Sequence, residues 1–236
     1  MRVAVLIPAY QAAAYLGEVL LRVRALASAQ DVLVVDDGSR DATAEVARQH
    51  GVRVLSFAGN RGKGIALLAG FEALAEYDAV VTLDADGQHP PECIPDFVRA
   101  AEAGADVVLG VRERTHDMPP HRRFGNRFSS AWTSVIAGCR ISDSQCGYRL
   151  FRRAVLLRTP VTPGRYEVET EMAVRAARLG FRVTEIPVPT VYAGAETHLS
   201  VVRDVPRIVT MMMRLSIERL LPPPSMRRAA HGGPRA

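Results

Sequence analysis

Asp84 and Asp86, with Gln88 two places further on, come immediately after the apolar run from Ala79 to Leu83. If that run is a buried strand, two carboxylates and an amide stand where the chain leaves the sheet. The turn at Gly87 can bring their oxygens toward one point, and hard oxygen ligands of this kind suit Mg2+ or Mn2+ shared with a substrate phosphate. An isolated Asp-x-Asp is usually a solvated turn, but this pair has company. Asp36-Asp37-Gly38-Ser39 follows a second apolar run, with Asp41 and Thr43 just beyond. A helix cap and a turn glycine explain Ser39 or Asp41. The two acids before them exceed that need, and a carboxylate there can accept from a base N–H or a ribose hydroxyl. Gly59-Asn60-Arg61-Gly62-Lys63-Gly64 is a third cluster. It is not a Walker loop, because Gly64 rather than Ser or Thr follows Lys63. A lysine at a helix N-terminus nevertheless suits a diphosphate.

Arginines supply a second line. Arg112, Arg114, Arg122, Arg123 and Arg127 stand against only Glu113 and Asp117 in that stretch. A solvated basic face is the ordinary outcome of such a run, yet this one starts where a fifth strand would end. Arg112 is the residue to place on a phosphate, because its fork binds one in bidentate fashion. Nucleic acid is a weaker target: only Phe124 and Phe128 interleave with the basic residues, and no nucleic-acid-binding motif is present.

The elements that must hold these residues alternate. Apolar strand patterns cover Val3 to Ile7, Val32 to Val35, Val52 to Phe57, Ala79 to Leu83 and Asp106 to Leu109. Helical spacing covers Gln11 to Leu26, Asp41 to His50, Lys63 to Ala75 and Pro91 to Ala103. Strands that are continuously apolar belong to a parallel sheet covered on both faces, so the first 110 residues read as a doubly wound α/β half of nucleotide-binding type. Every polar cluster then falls at a strand's carboxyl end, and one crevice receives them all. Beyond residue 110 the pattern turns irregular, as an acceptor-side region would. At 236 residues, 48% apolar and 23% charged, the chain has the composition of an ordinary soluble globule. Net charge is +5, almost wholly from arginine, since Lys63 is the only lysine. Three cysteines with no metal-ligand spacing point to a reduced, cytoplasmic setting. No stretch of about 18 apolar residues is present to span a bilayer.

These motifs together resemble the family 2 glycosyltransferases of GT-A fold. The resemblance rests on Ile7-Pro8-Ala9-Tyr10, Val35-Asp36-Asp37-Gly38-Ser39, Asn60-Arg61-Gly62-Lys63-Gly64 and Asp84-Ala85-Asp86-Gly87-Gln88-His89-Pro90. Further matches are Gly110-Val111-Arg112, Asp143-Ser144-Gln145-Cys146-Gly147-Tyr148-Arg149 and Glu167-Val168-Glu169-Thr170-Glu171. Within the family the chain is most similar to the dolichyl-phosphate or polyprenyl-phosphate mannose and glucose synthases. The fold so implied is α/β, a doubly wound, mainly parallel sheet. One domain over residues 1–221 would divide into a nucleotide-sugar half (1–110) and an acceptor half (111–221), followed by a disordered basic tail (222–236).

The resemblance also assigns roles. Pro8, Ala9, Tyr10, Val35, Asp37, Lys63, Asp84 and Ala85 would bind the nucleotide-sugar. Asp84, Asp86 and Gln88 would hold Mg2+ or Mn2+. Arg112, Arg122, His198 and Arg203 would meet the acceptor phosphate, and Asp86, Arg112 and Glu169 would carry the catalysis. The activity implied is inverting transfer of a hexose from GDP-mannose or UDP-glucose to a polyprenyl phosphate. An ionised phosphate attacks without a strong base; a hydroxyl acceptor would need one, and Glu169 is the position for it. A non-catalytic nucleotide-binding regulator is the remaining alternative. The amphipathic stretch from Asp204 to Leu221 reads either as a core-packing helix or as a peripheral anchor at the inner membrane face.

Overall fold

The computed structural model describes residues 1–112, 120–161, 167–189 and 201–220. The strands are β1 (Val3–Ala9), β2 (Val32–Asp36), β3 (Arg53–Ser56), β4 (Ala79–Thr82), β5 (Val107–Arg112), β6 (Arg149–Arg152) and β7 (Val183–Val188). They form one sheet in the order β3-β2-β1-β4-β6-β5-β7. All neighbours run parallel except β6, which is antiparallel to both β4 and β5. The helices are α1 (Ala13–Arg24), α2 (Thr43–Gln49), α3 (Lys63–Ala73), α4 (Ile94–Glu102), α5 (Pro120–Ala137), α6 (Arg153–Arg158), α7 (Glu167–Arg178) and α8 (Val201–Leu220).

Strand residues alternate between two buried layers, which is why the central strands read as unbroken apolar runs. Val5 and Ile7 of β1 join Leu16, Leu20, Ala47 and Phe97 from α1, α2 and α4. Ala4 and Leu6 face the other way, onto Leu67, Phe71, Ile136, Met172 and Met212 from α3, α5, α7 and α8. Each such Leu or Phe contributes about 1.5–3 kcal/mol by leaving water. Gly70 lets α3 lie directly on β1: a Cβ there would stand 2.3 Å from Leu6 Cδ1.

Two details differ from the strand patterns. β1 does not stop at Pro8 but runs to Ala9. The Leu6 carbonyl accepts from Leu83 N and the Ala9 carbonyl from Asp37 N, so the strand bonds alternately to its two neighbours. Pro8 therefore presents its missing N–H to the β4 side, where the last aligned pair is Leu6 with Thr82. The second difference is β6. Four residues, the first and last of them arginines, carry too little periodicity to register as a strand, yet β6 separates β5 from β4. Being antiparallel, it begins where β4 ends, with Arg149 opposite Thr82. The segment ahead of β6, residues 143–148, is thereby delivered to the carboxyl end of β4.

Candidate active site

The crevice is assembled from loops that brace one another. Asp37, 3% exposed, accepts from Arg61 N and Gly62 N, both at 2.7 Å. Sequence reasoning aimed this carboxylate at the nucleoside; here it anchors the Gly-rich loop and so fixes where α3 begins. Capping by Ser39 or Asp41 was expected, and Asp41 Oδ1 does accept from Thr43 N at the start of α2. The same stretch also serves α1: Ser39 Oγ accepts from Gln11 N, Thr43 Oγ1 from Ala12 N and Asp41 Oδ2 from Ala13 N. The β2–α2 loop thus caps α1, whose own N-cap, Ala12, offers no side chain. Gln11 is held at φ 52, a left-handed conformation that few non-glycine residues adopt, at the rim of the same crevice.

At the centre, α3 starts at Lys63 with no side chain capping it. Lys63 Nζ lies 2.6 Å from Asp84 Oδ1 and 2.9 Å from Glu169 Oε2. Burial alone would lower the lysine pKa, but the two carboxylates outweigh it and hold the ammonium charged well above its ordinary range. Burial would likewise raise Asp84, yet Lys63 brings it below the carboxylate range. Asp86 goes the other way: burial first, and then the Asp84 charge, raise it. Its Oδ1 accepts from Gln88 N at 3.0 Å. Asp84 and Asp86 are thus a close acidic pair that one ammonium only half compensates. Among the described residues no three His, Cys, Asp or Glu side chains close into a metal cage. Mg2+ is typically held by one or two carboxylates plus substrate phosphates, so this donor set fits a shared divalent ion. Gly147 bounds the same space. A Cβ there would stand 2.4 Å from Asp84 Oδ2 and 2.7 Å from Lys63 Nζ.

Arg112, at the end of β5, donates from Nε and Nη2 to Asp143 at 2.7 and 3.0 Å. Two edges of its fork are therefore committed to a carboxylate. Burial would raise the Asp143 pKa, but the hydrogen bonds and charge of Arg112 lower it. That contribution to stability is present above the unfolded carboxylate value and is lost as pH falls through the depressed one. Arg112→Met is expected to cost about 3–5 kcal/mol at pH 7, because Asp143 is left buried without its counter-ion. The deficit should shrink as pH falls below the unfolded carboxylate value, and close only as pH passes the depressed value at which Asp143 protonates in the parent. Urea unfolding at pH 7 and below that depressed value checks this, and an equal deficit at both would disprove the pairing.

The remaining expected residues are placed as follows. Ala9 and Ala85 are 3% and 6% exposed beside the crevice. Val35 is wholly in the core, so only its backbone can reach a ligand. Tyr10 is half-buried at the end of β1. His198 and the side chains of Arg122 and Arg203 lie outside the described residues. Arg149 was missed as a candidate. Buried at 2% exposure, it donates to the carbonyls of Cys146, Ser144 and Glu169 and ties the 143–148 segment to α7. A charged residue directly before the apolar pair Leu150-Phe151 was the signal. His89 Nε2 faces Cys146 Sγ at 3.7 Å, and burial pushes the thiol up to about 12, so it is inert as a nucleophile.

Comparison with known proteins agrees with this geometry. The undecaprenyl-phosphate mannosyltransferase of Micrococcus luteus is 35% identical over 203 residues, covering 80% of this chain and 83% of that protein. The polyprenol monophosphomannose synthase of Mycolicibacterium smegmatis is 32% identical, over 79% and 76% of the two chains. Among solved structures, glucosyl-3-phosphoglycerate synthase from Mycobacterium tuberculosis with bound UDP superposes with a TM-score of 0.74 at 22% identity, covering 94% of this chain and 81% of that one. Its fold is the GT-A glycosyltransferase fold. The model of glycosyl transferase family 2 matches residues 4–158, and with the relatives above this makes the chain a glycosyltransferase of that family.

Proposed function

We propose that this enzyme moves a hexose from a nucleotide-sugar, GDP-mannose or UDP-glucose, to a polyprenyl phosphate with inversion. The named activities of the two mannosyl-transferring relatives support a lipid-phosphate acceptor. The observation that carries the reading is the state of Glu169. A hydroxyl acceptor would need this carboxylate as a base, but it is buried against the Lys63 ammonium at 2.9 Å. A phosphate acceptor, already ionised, needs no base. Its oxygen attacks the anomeric carbon as the bond to the β-phosphate breaks, and the nucleoside diphosphate leaves with the electron pair. Lys63, at the start of α3, is placed to meet the diphosphate, and Arg112 the transferring or acceptor phosphate. Asp84, Asp86 and Gln88 would hold Mg2+ or Mn2+, whose chemistry is to offset charge gathering on the leaving group. The expected assay result is transfer of label to undecaprenyl phosphate and none to free sugars. Good transfer to a soluble sugar would favour the hydroxyl-acceptor reading.

The same proposal needs the enzyme at a bilayer. No described helix is long and apolar enough to cross one. α8 buries Met211, Met212 and Leu215 in the core, and Arg214 pairs with Glu171 on α7. It is a packed helix first. Its outer side still exposes Val209, Met213 and Ile217, with Arg207 and Arg219 nearby, while Phe128 and Val135 are exposed on its neighbour α5. We assign this face to peripheral contact with an anionic inner leaflet, where each arginine adds roughly 1 kcal/mol. Replacing Met213 and Ile217 with glutamine leaves the core intact and should abolish salt-sensitive co-sedimentation with anionic vesicles. Retention of full vesicle binding in that variant would reject the assignment.

A further inference from the structure

Glu169 is fixed more firmly than its visible contacts require. Its backbone carbonyl accepts from Arg149 Nη1 at 2.6 Å, and the next side chain, Thr170, donates to the Ser144 carbonyl at 2.9 Å. Oε2 is on Lys63, but Oε1 is buried and has no hydrogen-bond partner among the described residues. A buried carboxylate oxygen left unpaired is costly and rare in native proteins. Lys63 Nζ also touches Asp84, so the orphan oxygen belongs to a carboxylate one ammonium away from the acidic pair. Gly147 keeps side chains out of that space.

We infer that Glu169 reads the hydroxyl pattern of the hexose being transferred. Oε1 accepts from one sugar hydroxyl while Oε2 stays on Lys63, which makes Glu169 a specificity-determining residue of the donor site rather than a base. The inference rests on the nucleotide-hexose donor proposed above and needs no acceptor. A sugar lacking the matching hydroxyl would leave the oxygen unpaired again, and sites built to bond a hydroxyl reject analogues without it.

The test is calorimetric binding of GDP-mannose, UDP-glucose and their monodeoxy forms to the full chain with Mn2+, with GDP and UDP as controls. The parent protein should bind one monodeoxy donor about 100-fold more weakly than the intact sugar nucleotide, and the other deoxy donors nearly normally. In Glu169→Gln the amide oxygen can remain on Lys63 while an NH2 replaces the acceptor. That variant should lose most of the discrimination, with nucleoside diphosphate affinity kept within about threefold. The deoxy scan on the parent needs no variant, so a poorly folded Glu169→Gln does not shield the inference. A flat response to all deoxy donors would overturn it and leave the acceptor reading standing. So would collapse of GDP or UDP binding in Glu169→Gln at normal thermal stability, since the residue would then act through Lys63 on the diphosphate. Discrimination without any transfer to lipid phosphate would uphold the inference and reject the acceptor reading alone.

Discussion

Asp86→Asn is expected to reduce sugar transfer by about three orders of magnitude, the scale of several kcal/mol of charge stabilisation at 1.36 kcal/mol per decade. The change keeps size and removes one of the two charges that make the Asp84–Asp86 pair attractive to a divalent ion. Among the described residues Asp86 makes no ion pair with Lys63, and its Oδ1 accepts from Gln88 N, so the fold should survive. Burial and the Asp84 charge disfavour its ionised form, and asparagine relieves that repulsion. A melting temperature at or slightly above the parent's should therefore accompany the lost activity. Calorimetry of GDP and UDP with and without Mn2+ completes the test. Unchanged turnover in the variant, or full parent activity in excess EDTA, would end the metal assignment.

Lys63→Met should have a large effect on stability. The lysine sits between Asp84 and Glu169, and its removal leaves both carboxylates, with Asp86 close by, buried without the ammonium that contacts them. Breaking a buried pair from one side costs about 3–5 kcal/mol, which for a chain of this size is a fall of about 10 °C in melting temperature. The raised pKa of Lys63 means that this contribution is fully present at neutral pH and is lost only as pH rises through the raised value. Mn2+ should restore part of the lost stability, and should do so more strongly than it stabilises the parent, because it replaces the missing charge. Thermal unfolding in Mn2+ and in EDTA measures both numbers. A variant as stable as the parent in EDTA would show that the ammonium is not a structural counter-ion.

Which parts of this site were legible follows from sequence distance. Asp84, Asp86, Lys63 and Glu169 were each identifiable from local pattern: an acid pair after an apolar run, a lysine after a glycine loop, an acid at the start of a helix. Their mutual contact was not, because residues 63, 84 and 169 meet only after the sheet has formed. Asp37 shows a role the local pattern did not contain. Its type and position fitted a ribose or base contact, and in addition each of its oxygens accepts from a backbone N–H of the neighbouring loop. Side-chain capping across loops, as by Ser39, Asp41 and Thr43 on α1, leaves no local signature, since the cap and the helix it serves are 28 to 31 residues apart. The antiparallel β6 escaped because two apolar residues between arginines give no period. Its insertion explains how the Gly147 segment reaches Asp84, the one relation in the site that topology alone decides.

Having a single lysine has an experimental consequence. The chain's only ε-amine is also the group at the heart of the crevice. Lysine labelled with nitrogen-15 would give one ammonium resonance, assigned without effort, whose shift reports what lies beside Asp84 and Glu169. Slow hydrogen exchange in the resting protein and a new shift on adding nucleotide would follow site occupancy directly in solution. Amine-directed reagents have nowhere else to react except the chain's α-amine. Coupling to a dye through amines would therefore leave the outer faces of α5 and α8 unmodified.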